Sequence, residues 1–139
     1  MRLFLDANIL ISVLNKEYPL FTYSSRILSL AEDKRYTLYT SPVCLAIAFY
    51  FAEKKSGTVN AKKKISLLAQ KLSITDMGKN VVSLTISNSK IHDFEDGMEH
   101  YSAKAAKCTA IISENIHDFY FSDIMVLTAS QFFERYLNK

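Results

Sequence analysis

The chain has no tryptophan, and it is poor in glycine (3), proline (2) and cysteine (2). So few glycines and prolines leave no room for a flexible linker, a low-complexity tract or the glycine-rich loops that cradle nucleotide phosphates. Two cysteines cannot build a disulfide framework, and neither Cys44 nor Cys108 has a partner at metal-ligand spacing. Each sits among apolar or small residues, so both are expected to be buried, reduced thiols. His92, His100 and His117 form neither HxH nor HExxH. The usual zinc patterns are thereby excluded, and all three are expected as polar surface or turn residues. No GxSxG nucleophile elbow occurs. No apolar run approaches the ~18 residues that suggest a membrane span, and Asp6 interrupts the apolar start before any cleavage-like segment. The expectation is a cytoplasmic chain without a membrane association.

What is present is an ordinary globular composition. With 139 residues, 49% hydrophobic and 22% charged, the chain is expected to form one domain over 1–139 with a substantial core. The net charge of +3 is unevenly spread. Six lysines and one acid lie between Glu53 and Lys71, whereas seven acids and two lysines lie between Ile91 and Asp123. Lys54, Lys55, Lys62, Lys63 and Lys64 are therefore candidate contacts for a polyanion such as RNA, although a solvated helix face has the same pattern.

Acids punctuate the chain at three distant points. The apolar run Arg2–Leu5 has strand length and ends in Asp6, after which Ala7 to Leu14 has helical character. A carboxylate placed there projects from the carboxyl end of a strand, where open α/β sheets put their crevices; it also suits a helix cap. The second point is Asp93-Phe-Glu95-Asp96, at the start of an expected helix running to Ala106. Asp93 and Asp96 are three apart and share a face, while Glu95 points elsewhere. The third is Ser113-Glu-Asn115-Ile-His-Asp118, just past a short buried strand, Thr109 to Ile112. Carboxylates gathered by folding repel one another unless a cation neutralises them, and Mg²⁺ or Mn²⁺ takes oxygen ligands and keeps several waters. Asp6, Asp96 and Asp118 are the candidate metal ligands and catalytic residues.

Between these points, Pro19 suits the start of a helix through Ala31, and Tyr36 to Thr40 reads as a strand. Ser41-Pro42 marks another helix start, with Ser as the cap. Gly57 breaks that helix before a further one over about Val59 to Leu72. Asp76 to Asn80 reads as a turn, and Val81-Val82 as a strand start or short buried link. Met125 to Leu127 suits an edge strand, with Thr128 capping a last helix. Strands alternating with helices argue for an α/β fold with a parallel sheet between helices.

The ordered set Leu5-Asp6-Ala-Asn8, Ser41-Pro-Val-Cys-Leu-Ala46, Asp93-Phe-Glu-Asp96 and Ile111-Ile-Ser113-Glu-Asn115-Ile-His-Asp118 resembles the PIN-domain family of metal-dependent ribonucleases, including the VapC-type toxins. The resemblance spans nearly the whole chain. It implies a three-layer α/β/α sandwich around a four- or five-stranded parallel sheet. It further implies that Asp6, Asp96 and Asp118 bind Mg²⁺ or Mn²⁺, supported by Asn8, Asp93, Ser113 and Asn115. RNA as substrate, a homodimer and a small antitoxin protein as partner are implied in the same way. Two positions depart from the pattern. Ile47 stands where the family has Glu, or Asn in some bacterial relatives, so one ligand of the usual quartet is missing. Glu53, six positions on, lies nearly opposite Ile47 on an ideal helix and is a poor substitute. Glu114 stands where Arg is common, which places a negative charge close to the site.

Two expectations of different class follow. One is an endoribonuclease that is the toxin of a type II toxin–antitoxin pair; the other is a catalytically degenerate PIN module acting through protein or RNA binding. A phosphatase of the haloacid dehalogenase type would need an acid at Asn8 and is set aside.

Overall fold

The computed structural model describes residues 1–138. Five parallel strands form one sheet in the order β3-β2-β1-β4-β5: β1 (Arg2–Leu5), β2 (Thr37–Thr40), β3 (Ser73–Ile74), β4 (Ala110–Ile112) and β5 (Met125–Leu127). Six helices pack around it: α1 (Ala7–Leu14), α2 (Leu20–Leu28), α3 (Pro42–Lys71), α4 (Lys79–Ser87), α5 (Phe94–Ala105) and α6 (Ala129–Phe132). Leu3, Phe4 and Leu5 of β1 and Ala110, Ile111 and Ile112 of β4 are all fully buried. Such continuous apolar runs are what central strands covered on both faces require. The α/β class, the five-stranded parallel sheet and the flanking helices are those expected from the sequence.

Local chemistry sets the element ends. Ser41 accepts a hydrogen bond from Cys44 N at the start of α3, with Pro42 at the first helical position. Thr128 and Gln131 form a reciprocal capping box at α6. Gly57, at φ +81° and ψ 166°, breaks α3 at the expected position. That backbone conformation is nearly exclusive to glycine, and nothing lies within 4 Å of where a Cβ would sit. Gly57→Ala is therefore expected to destabilise by about 1–3 kcal/mol through backbone strain alone, measurable by urea unfolding.

Two local expectations differ from the structure. Val81-Val82 does not start a strand: both lie in α4, where Val81 and Thr85 are buried one turn apart. Packing against α5 overrides the β-preference of these branched residues. The contact is close, since a Cβ on Gly97 of α5 would meet Thr85 Cγ2 at 2.5 Å. The histidines also separate. His92 and His117 are exposed, but His100 is buried, with Nδ1 3.1 Å from Ser122 Oγ and Nε2 3.5 Å from Asp123 Oδ1. Burial holds its pKa below the usual histidine value. No described helix is long and apolar enough to cross a membrane.

Candidate metal centre

Strands β1 and β4 lie side by side where the strand order reverses, which is where open α/β sheets place their binding crevice. Asp6 follows β1 and Ser113 follows β4, and Asp6 N donates to Ile112 O at 3.0 Å. The buried Asp6 carboxylate has two tasks. Its Oδ1 accepts from Ala7 N at 2.7 Å, capping α1. Its Oδ2 accepts from Ser113 Oγ at 2.6 Å and from Asn8 Nδ2 at 3.3 Å. Asn8 Oδ1 in turn accepts from Glu114 N, and Ser113 Oγ accepts from Asn115 N. Thus Asn8 and Ser113 hold in place a carboxylate that both caps α1 and lines the cavity at the strand ends.

Helix α5 delivers the second group. Asp93 is its cap, accepting from Asp96 N at 3.2 Å. Asp118 arrives from a single 3₁₀ turn, Ile116–Phe119, that follows β4. Asp6, Asp93, Glu95, Asp96 and Asp118 line one cavity of about 250 Å³, with Asn8 and Asn115 at its wall and Ile47 in an apolar patch. Glu95, expected from helix spacing to point elsewhere, shares the cavity because the first turn of α5 forms its rim. The three acids separated by up to 112 positions in the chain are therefore brought together. Among the described residues, no lysine or arginine lines this cavity. A larger, shallow depression of about 570 Å³ beside Ile116, Val126 and Arg135 has no comparable convergence of acids.

The electrostatics follow from that crowding. Asp96 is pushed up to about 7, mainly by burial and then by Asp93, Asp118, Asp6 and Glu95. Glu95 is raised for similar reasons, with burial first and Asp93 next. Carboxyls that raise one another's pKa without a basic partner form a site suited to a hard cation. The all-oxygen lining fits Mg²⁺ or Mn²⁺ better than a thiol- or imidazole-seeking metal.

One acid lies outside the set expected from the sequence. Glu99, one turn after Asp96 on α5, is fully buried. Its Oε1 accepts from Cys44 Sγ at 2.9 Å, while its Oε2 has no hydrogen-bond partner among the described residues. Burial, with Asp6 close by, pushes its pKa up to about 11. The signal was in the pattern: Asp96, Glu99, His100 and Ala103 fall at i, i+3, i+4 and i+7, so Glu99 sits on the stripe that Ala103 buries. Cys44 is a buried free thiol, as expected, raised well above its usual value by that burial and by Glu99 and Asp6.

The remaining candidates sit elsewhere. Glu114 turns from the cavity, and its Oε2 accepts from Ala129 N at 3.0 Å at the start of α6. It is a helix cap, not a charge inside the site. Glu53 accepts from Thr58 Oγ1 at 2.8 Å beyond the Gly57 break and does not line the cavity. None of the five candidate lysines lines it either. Lys55 Nζ donates to Asn15 O, whereas Lys54 lies over the Tyr50 ring at 4.4 Å. Lys62 and Lys63 flank exposed Leu67 on the far half of α3.

Comparison with known proteins places this geometry. The PIN-domain family model matches residues 2–117. Ribonuclease VapC1 of Aquifex aeolicus is 25% identical over 142 residues, covering 97% of this chain and 95% of its own. Among solved structures, VapBC2 from Rickettsia felis, bound to a DNA fragment from their promoter, is similar with a TM-score of 0.69 at 20% identity, covering 91% of this chain and 97% of that one. VapBC-1 from nontypeable Haemophilus influenzae gives 0.69 at 16% identity, covering 94% and 99%. Mycobacterium tuberculosis VapC20, a sarcin-ricin loop cleaving toxin, gives 0.62 at 10% identity, covering 78% and 86%. With the family model spanning most of its length and the acids gathered as described, the chain belongs to the PIN-domain family.

Proposed function

We propose that this protein is a metal-dependent endoribonuclease of the PIN type and the toxin of a toxin–antitoxin pair. Asp6, Asp96 and Asp118 are its Mg²⁺ or Mn²⁺ ligands. The observation that carries this reading is the convergence of those acids in one cavity that no described lysine or arginine lines. The match to a relative named as a ribonuclease, over 97% of this chain and 95% of that one, supports the reaction class. A cation held by Asp6, Asp96 and Asp118 would supply charge neutralisation at a phosphate and a lowered pKa for a bound water. The chain's own residues hold the geometry: Ser113 and Asn8 fix Asp6, and Asp93 fixes the first turn of the helix carrying Asp96. Asn115, exposed at the rim, offers an amide to a phosphate oxygen. A cytoplasmic location, a homodimer and a small antitoxin partner belong to the same proposal, the last supported by the VapBC neighbours.

RNA would leave the cavity along α3. Ile47, Tyr50 and Lys54 follow at i, i+3 and i+7, so they share a face, and Lys54 lies about 10 Å along the axis from Ile47. Tyr50 and Phe51 are half exposed there, and a stacking ring beside a cation is the pattern that holds single strands. Replacing Tyr50 and Lys54 together by Ala is expected to weaken binding of a short RNA roughly 10-fold or more in fluorescence anisotropy. Unchanged affinity would send the strand elsewhere, with Lys62, Lys63 and Lys64 the next to test.

The first test of the function is a Mn²⁺ titration of the melting temperature, wild type beside Asp96→Asn, together with RNA cleavage with and without a chelator. Saturable stabilisation lost in the variant, and cleavage lost with chelator, are the expected results. Ile47 in the cavity wall favours one other reading, a PIN module that binds a partner without turnover. No metal-induced shift and no cleavage of any RNA, with a partner protein still bound, is the outcome that second reading requires.

A further inference from the structure

We propose that Glu99 is the fourth acid of the metal site, supplied from α5 in place of the ligand that Ile47 does not provide. The inference rests on the metal reading above and adds a residue to it. Three observations meet at this side chain. First, it belongs to two groups at once: its carboxylate lies within 4.8 Å of the ligand atoms of Asp6 and Cys44, and also of Glu95 and Asp96. It therefore stands between the acid of β1 and the acids of α5. Second, it touches the helix that carries Ile47. Cys44 is one turn before Ile47 on α3, and its thiol is the group that touches Glu99 Oε1. The carboxylate thus meets α3 one turn from Ile47, behind the residues that line the cavity.

Third, the carboxyl is fully buried, yet Oε2 has no hydrogen-bond donor among the described residues. A buried acidic oxygen without a donor or basic neighbour is costly unless it serves another group. His100, the adjacent residue in the chain, is directed to Ser122 and Asp123 and does not serve it. A hard divalent cation seeks carboxylate oxygen over neutral thiol, so Glu99 acts as ligand and Cys44 as the donor that orients it.

The test is the Mn²⁺ dependence of melting for wild type, Asp96→Asn, Glu99→Gln and the double variant Glu99→Gln with Ile47→Glu. Gln preserves the volume and an acceptor for Cys44 but removes the anionic ligand. Metal affinity is expected to fall at least about 10-fold in Glu99→Gln, with metal-free melting no lower than wild type, and to recover when Ile47→Glu is added. A wild-type shift abolished by Asp96→Asn but retained within twofold by Glu99→Gln would overturn the role of Glu99 and leave the metal site standing. No saturable shift in wild type would overturn both. If Glu99→Gln does not fold, carbon-13 NMR of glutamate carboxyls in the wild type decides. The Glu99 signal should move with Mg²⁺ at the concentration that raises the melting temperature, and a signal that stays in place at saturation would end the proposal.

Discussion

Asp6→Asn is expected to cut RNA cleavage by about 100-fold or more, in single-turnover rate at saturating RNA, while leaving the fold intact. The loss follows from ligand chemistry, since even groups that merely orient a ligand typically cost 10–100-fold when removed. The retained fold follows from the hydrogen bonds. Asn keeps an oxygen to accept from Ala7 N, so the cap of α1 survives. Its amide would face Ser113 Oγ, which already accepts from Asn115 N and Asn8 Nδ2, so the Ser113 and Asn8 bonds to Oδ2 are given up, a cost offset by the loss of a buried charge. One negative charge also leaves a site where Asp96, Glu95 and Glu99 are all pushed upward, by burial first and then by neighbouring carboxylates that include Asp6. Metal-free Asp6→Asn should thus melt no lower than wild type. Circular dichroism melting beside the cleavage assay separates the two effects. An Asp6→Asn protein that folds and cleaves like wild type would remove Asp6 from the mechanism and the metal reading with it.

Much of this site was legible in the sequence because each element carries its own boundary chemistry. Asp6, Ser41 and Thr128 are all caps directly after strands, and each fixes where a strand stops and a helix starts. Order and spacing then brought Asp6, Asp96 and Asp118 to the same end of the sheet. What could not be read was the direction of long side chains. Glu114 looked like a charge in the site because it follows β4, but the start of α6 lies within its reach and offers a free N–H. Glu99 was hidden for the opposite reason. A glutamate in a helix is ordinarily a solvated residue, and only the stripe through Ala103 indicates that this one faces inward. The two-residue strand β3 and helix α4 escaped because their identity depends on partners distant in sequence, Tyr39 and Thr40 for the former and α5 for the latter.

Stability should respond to pH in a direction that reports on the same carboxyls. Asp96 is pushed up to about 7 and Glu99 to about 11, both chiefly by burial. The folded protein therefore binds protons that the unfolded chain, with ordinary carboxyls, has already released. That contribution is complete below about pH 4, declines as pH rises through 7, where Asp96 ionises, and declines further toward the value of Glu99. For Asp96, a change of about 3 pH units would correspond to roughly 4 kcal/mol at full burial; half exposure and screening bring it nearer 1–2 kcal/mol. His100 works against this trend, because its pKa, lowered chiefly by burial, makes the folded state more stable as pH rises toward the ordinary histidine value. The informative quantity is thus wild type minus Asp96→Asn, measured by urea unfolding between pH 5 and 8 in chelator. Wild type should lose stability relative to the variant over that window. Saturating Mg²⁺ should reverse the sign, since the cation competes with protons for the same oxygens and binds more tightly as they leave. Parallel curves for the two proteins in chelator would mean that Asp96 ionises as an ordinary surface carboxyl, and that its neighbours do not crowd it as the cavity geometry requires.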